Sequence, residues 1–161
     1  MENLELNTSF WVTSGAIFIL LVLSGFFSGS ETALTAASRS KLRAKADKGS
    51  IGAARALNVT NDGERLIGSV LLGNNLVNIL ATALITTMFT KIFGENGIAL
   101  ATVVMTFLIL IFAEVLPKTY AITNAETAAI RVSRPISAII FIFAPIVGFV
   151  RLFVQELLRL F

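Results

Sequence analysis

Hydrophobic positions along this chain fall in long unbroken runs, not in the narrow stripe of a water-soluble helix or the alternation of a half-buried strand. Residues 10–30 carry no charge, and at about 1.5 Å per helical residue a run of that length crosses a hydrocarbon layer about 30 Å thick. Residues 66–90 form a second uncharged run, and residues 97–113 a third that passes Glu114 and reaches Leu116 before Pro117. The pattern predicts three transmembrane helices, over about residues 10–34, 66–90 and 97–117. The first is expected to remain in the chain. Residues 1–10 hold Glu2 and Glu5 but no basic residue, and the apolar run is too long for a signal peptide.

Between the first two runs the pattern changes to dense charge. Seven of the 13 basic residues, Arg39, Lys41, Arg43, Lys45, Lys48, Arg55 and Arg65, lie in this stretch, which the positive-inside rule places in the cytoplasm. The N-terminus and the connection over residues 91–96 are then outside, and the third span returns to the cytoplasm, where Lys118, Arg131 and Arg134 follow. The basic stretch is expected to fold as a juxtamembrane hairpin over residues 39–63. It would have one helix after Ser38 ending at Gly49, a second after Ser50 through Leu57, and an Asn61-Asp62-Gly63 turn.

The tail is ambiguous by length alone. Pro145 and Gly148 divide it, and Arg151, Gln155 and Arg159 recur at i, i+4 and i+8, which predicts a broken interfacial hairpin over residues 131–161 in place of a fourth span. A fourth crossing would also carry Arg151 and Arg159 outside. The expected fold is an all-α integral membrane protein, one domain over residues 1–161, with three transmembrane helices and cytoplasmic-side juxtamembrane helical hairpins. Its expected place is the cell inner (plasma) membrane, with the C-terminus in the cytoplasm.

Composition narrows the chemistry. With 55% hydrophobic and 14% charged residues there is too little polar surface for a soluble domain. The absence of cysteine and histidine excludes disulfides, zinc sites, thiol nucleophiles and imidazole acid–base chemistry. A net charge of +3, concentrated in one loop, gives no basis for nucleic-acid binding. No enzymatic activity is expected.

Polar groups inside the spans carry what chemistry remains. In span one, Ser24 and Ser28 stack one turn apart beside Gly25 and Gly29, which suits either close helix packing or an oxygen-rich face. In span two, Asn74 and Asn78 share a face while Asn75 is rotated about 100° from Asn74. Their amides serve either as interhelical hydrogen-bond donors and acceptors, the favoured reading for Asn75, or as carbonyl ligands. In span three, Glu114 is the sharpest signal, because a carboxylate at the centre of a membrane helix costs about 2.5–3.5 kcal/mol on insertion scales and needs a partner. Either Lys118 at i+4 neutralises it, or it is protonated in lipid, or its partner is a cargo ion. Pro117 has no N–H, so in a regular helix the carbonyl of Ala113 loses its donor. Glu31 reads as interfacial.

At about 1.5 Å per residue, Ser28 lies roughly 16 Å from Arg39, Asn74 roughly 13 Å from Arg65 and Glu114 roughly 6 Å from Lys118, all in the cytoplasmic half. Such hard oxygen donors suit Mg²⁺ or another hard cation. A single carboxylate also suits Na⁺ or a proton.

The runs Leu23-Ser24-Gly25-Phe26-Phe27-Ser28-Gly29-Ser30-Glu31-Thr32-Ala33-Leu34, Leu72-Gly73-Asn74-Asn75-Leu76-Val77-Asn78 and Glu114-Val115-Leu116-Pro117-Lys118 resemble the three signature stretches of the DUF21 transmembrane domain. This is the membrane module of the CorB/CorC and cyclin M (CNNM) magnesium transport proteins. The resemblance extends from about Phe10 onward, and three motifs in order on successive spans are jointly specific. It implies a homodimer in membrane lipid that binds Mg²⁺ in an inward-open cavity and exports it, with Na⁺ as the candidate coupling ion. Position by position it implies Ser24, Ser28, Asn74 and Glu114 as ion ligands, then Asn78, then backbone carbonyls near Gly73 and Ala113. It also implies ATP-binding cytosolic CBS domains in the full-length protein, which are absent over residues 1–161. The alternatives are a non-transporting anchor and dimerisation module for a cytosolic sensor, or a proton- or Na⁺-coupled carrier of another cation.

Overall fold

The computed structural model describes residues 2–159, with side chains from residue 8 to residue 159, and every regular element in that range is helical. In chain order these are α1 (Glu2–Ala36), α2 (Arg39–Asp47), α3 (Ile51–Asn61), α4 (Gly63–Phe93), α5 (Asn96–Leu108), a π-helical segment (Ile109–Val115), α6 (Leu116–Thr123) and α7 (Ala125–Leu158). Four stretches are long and apolar enough to cross a membrane: Thr8–Ala36, Gly63–Phe93, Asn96–Thr123 and Ala125–Leu158. The protein is a helical membrane protein.

The chain forms two compact units, one from the chain up to Ser28 with Asn74–Pro117, the other from Gly29–Gly73 with the chain from Lys118 onward. The first unit packs three helices through stacked pairs. Ile17 and Leu21 on α1, Ala81 and Ile85 on α4, and Ala101 and Met105 on α5 are all buried in one cluster. Each pair is four residues apart and so shares a face, and Ala81 and Ala101 are small enough to let the helices approach closely. The reverse faces present large apolar side chains outward, Phe18, Ile79, Phe107 and Phe112 among them. That arrangement suits a hydrocarbon solvent.

In the second unit, the basic stretch folds as the two helices α2 and α3. Its turn runs through Gly49 at φ +92°, a left-handed conformation that a side chain would strain. Ser50 then caps α3, its hydroxyl accepting from the Ala53 N–H at 3.3 Å. The helix continues to Asn61, past the expected end at Leu57. Ala53 and Ala56 bury the inner face of α3. A Cβ on Gly52 would lie 2.8 Å from Ile130 Cγ2, so α3 meets α7 almost backbone to side chain. Arg39 donates to the Thr60 carbonyl at 3.0 Å, and Lys41 pairs with Glu126 at 3.2 Å.

Two expectations need correction. The tail is not a broken hairpin: α7 runs without interruption through Pro135, Pro145 and Gly148. A proline inside a helix removes one backbone hydrogen bond and forces a bend, but apolar residues on both sides favour keeping every other bond intact in lipid. The polar stripe also finds partners, with Arg151 on Glu64 at 2.9 Å and Arg159 on Glu156 at 2.8 Å. Three spans therefore understate the count of span-length helices. Second, span three does not end at Pro117; helical structure continues to Thr123.

Candidate functional site

Four side chains from three separate stretches of sequence form one hydrogen-bonded chain within the first unit. Ser24 Oγ donates to Asn74 Oδ1 at 2.7 Å. Asn74 Nδ2 donates to Glu114 Oε1 at 3.2 Å. Ser28 Oγ donates to the other carboxylate oxygen, Glu114 Oε2, at 3.0 Å. Ser24 and Ser28 are 0% and 1% exposed, whereas Asn74 and Glu114 are half-buried, so the hydroxyls form the floor of the site.

Helix α1 supplies the floor because Ser24 and Ser28 are one turn apart on its packed face. Helix α4 supplies Asn74 from the same face as Val77 and Ala81, both buried. Asn75, rotated from that face, is exposed, as its position in the helical period predicts.

Glu114 is placed by a device the helical period does not reveal. Glu114 is nine residues after the buried Met105. In a regular helix, at about 100° per residue, it would point about 180° away from that core face. Instead residues 109–115 are π-helical, and the Leu116 N–H bonds the Ile111 carbonyl five residues back. One extra residue in the turn takes back up to about 100° of that rotation and swings the carboxylate toward Ser28 and Asn74.

The same shift changes which carbonyl Pro117 leaves without a donor. Counting back five residues, as the π register requires, gives Phe112 in place of Ala113. A Cβ on Gly25 would lie 3.1 Å from the Phe112 carbonyl oxygen and 3.6 Å from Pro117 Cγ. Gly25 is therefore where α1 makes room for that oxygen. The Phe112 carbonyl was absent from the sequence reading; the close pairing of Glu114 with Pro117 was the only signal that could have found it.

The remaining candidates fall near the chain of four or beside it in sequence. Asn78 follows Asn74 by one turn, and its Oδ1 is buried with no hydrogen-bond partner among the described residues. Ala113 is fully buried next to Glu114. Gly73, which precedes Asn74 on α4, is buried. Among the described residues no group of three or more acidic, histidine or cysteine side chains gathers anywhere, and Glu114 is the one carboxylate in the chain of four.

Comparison with known proteins bears on what such a site serves. Residues 15–161 match the family model of the cyclin M transmembrane N-terminal domain. This chain belongs to the cyclin M (CNNM) transmembrane-domain family. Among relatives of the family domain, a UPF0053 protein of Haemophilus influenzae is 35% identical over 99% of this chain and 37% of its own length. The UPF0053 inner membrane protein YfjD of Escherichia coli is 41% identical over 86% of this chain and 32% of its own length. A protein of Salmonella typhimurium named polyamine export protein is 30% identical over 90% of this chain and 35% of its own length. The chain thus spans about a third of the length of these relatives.

Proposed function

We propose that this membrane domain moves Mg²⁺ out of the cell through a site made by Ser24, Ser28, Asn74 and Glu114, with Asn78 and the Phe112 carbonyl as further oxygens. The observation that carries this reading is the half-buried Glu114 carboxylate held by two neutral side chains inside a membrane helix. A carboxylate there is costly and needs partners, and a cargo cation is one that would give it a function.

The spacing of the polar atoms supports a small hard cation. In an octahedron with bonds of about 2.1 Å, adjacent ligand oxygens are about 3.0 Å apart. The contacts that join the four side chains are hydrogen bonds of 2.7, 3.2 and 3.0 Å, one of them through Asn74 Nδ2, so their oxygens lie close enough to converge on one ion once that amide turns. To bind, the Asn74 amide turns over to present Oδ1, and both serine hydroxyls rotate their lone pairs inward. Four side chains and the Phe112 carbonyl then offer hard oxygens only, the set that suits Mg²⁺ and repels soft metals.

In this reading the transporting unit is a homodimer in the plasma membrane with its C-terminus cytoplasmic, Na⁺ is the counter-ion, and CBS domains beyond residue 161 supply ATP regulation. Ala113 and Gly73 contribute backbone rather than side-chain chemistry.

A second reading has one specific support, the relative named polyamine export protein. An alkylammonium group also seeks a carboxylate and neutral oxygens at hydrogen-bond distance. The two readings separate in one experiment on the purified protein in liposomes, with efflux measured for Mg²⁺ and for spermidine. Mg²⁺ flux abolished by Glu114→Gln supports the first. Spermidine flux with no Mg²⁺ flux replaces it with the second, and neither flux leaves the anchor module as the function.

A further inference from the structure

At the far end of the first unit's α1–α4 pair lies a cavity of about 370 Å³ that the cation site does not use. Ser9 and Thr13 of α1 and Thr87 and Lys91 of α4 give its polar lining, and the apolar rest comes from Phe10 of α1 and Leu84, Met88 and Ile92 of α4. Among the described residues Lys91 is the only charged side chain in that lining. Its ammonium repels the metal or polyamine cations considered above, so the cavity is no second cargo site.

We propose that this cavity holds the headgroup of an anionic phospholipid. Lys91 is exposed and sits two residues before the end of α4 at Phe93, where an apolar span meets water. Lipid phosphates occupy that depth, and a lysine there attracts anionic headgroups. The hydroxyls of Thr13 and Ser9 can donate to phosphate oxygens beside the ammonium. From Lys91 the lining turns apolar toward Leu84, seven residues or about 10 Å along the helix, which is the direction an acyl chain takes into the bilayer. A free hydrated anion would gain nothing from that apolar wall. A phospholipid matches both ends.

Trp11, the single tryptophan of the chain, is exposed on α1 next to Phe10 and reports on lipids at this level. The full chain is reconstituted with phosphatidylglycerol or phosphatidylcholine carrying brominated acyl chains, and quenching gives their relative association constant. Phosphatidylglycerol is expected to be favoured by about fivefold, the effect of one lysine near the surface. Lys91→Gln should reduce the ratio to about one, and Lys91→Arg should retain it. Thr13→Leu keeps every charge but fills the cavity, so a loss of preference there identifies a seat for the headgroup and not diffuse attraction. Lys45→Gln, on exposed α2, should change nothing. Equal quenching in the native chain, a preference that survives Lys91→Gln, or one indifferent to Thr13→Leu overturns the proposal. So does competition by millimolar inorganic phosphate, which would assign the cavity to a soluble anion.

Discussion

Ser28 donates its hydroxyl to Glu114 Oε2 at 3.0 Å across 86 residues of chain, and that bond joins the first span to the third at the one carboxylate of the candidate site. Glu114 also accepts from Asn74, so each of its oxygens is held by a different helix. A carboxylate fixed at both oxygens is preorganised for a cation, and each holding group can be removed singly.

Glu114→Gln keeps shape and hydrogen-bonding capacity but removes the charge. Mg²⁺ affinity should fall by about 100-fold or more, since even loss of an outer-sphere partner costs 10–100-fold. Helix content and elution volume should stay as in the native protein. Titration calorimetry checks this, and unchanged affinity would remove Glu114 from the site.

The two serines should differ. Ser28 touches the carboxylate directly, whereas Ser24 acts on it through Asn74. Ser28→Ala is therefore expected to weaken Mg²⁺ binding more than Ser24→Ala. Each deletion leaves a neighbour short of one hydrogen bond, worth about 0.5–1.5 kcal/mol of stability in typical cases. Calorimetry and thermal unfolding in detergent separate the two effects, and equal affinities in both variants would contradict the ordering.

Pro117→Ala returns a backbone donor to the third span and removes the reason for an idle carbonyl. The helix is expected to become no less stable while Mg²⁺ affinity falls, an opposite movement of two quantities that simple damage would not produce. Gly25→Ala tests the same contact from the other side. Its new methyl carbon would sit 3.1 Å from the Phe112 oxygen, so that oxygen has to give way by a few tenths of an ångström. A loss of affinity at preserved helix content is the expected outcome.

Pro145→Ala examines the tail. Because α7 is continuous there, alanine should be accepted with an unfolding midpoint equal to or a few degrees above that of the native protein, given the poor fit of proline to a helix interior. A rise in helix content would instead indicate that Pro145 ends a helix in the native protein.

Much of the architecture was legible in the chain because lipid imposes so strict a demand. Uncharged runs of span length can satisfy their backbone in few ways, so α1, α4 and the third span follow almost directly from where Glu31, Arg65, Lys91 and Lys118 stop them. Glu114 was equally legible, since a carboxylate in such a run needs a reason, whereas Ser24, Ser28 and Asn74 suited helix packing as well as ligation and were joined to it only by the resemblance to the DUF21 motifs. Two things were not. Pro145 and Gly148 look like breaks because propensities learned in water overstate their effect where every unmade hydrogen bond costs more. The π turn at residues 109–115 leaves no mark in the pattern of apolar residues, because lipid-facing and core-facing positions of that span are alike in hydrophobicity.

The π turn also sets how much this span tolerates changes in length. A single-residue deletion between Ile109 and Phe112 would let the backbone relax to ordinary α pitch without touching the carboxylate, its charge or its neighbours in sequence. The acid would keep its aim, because eight regular residues after Met105 bring it to about 80° from the core face, where the π turn now holds it; what would move is the idle carbonyl, from Phe112 back to Ala113.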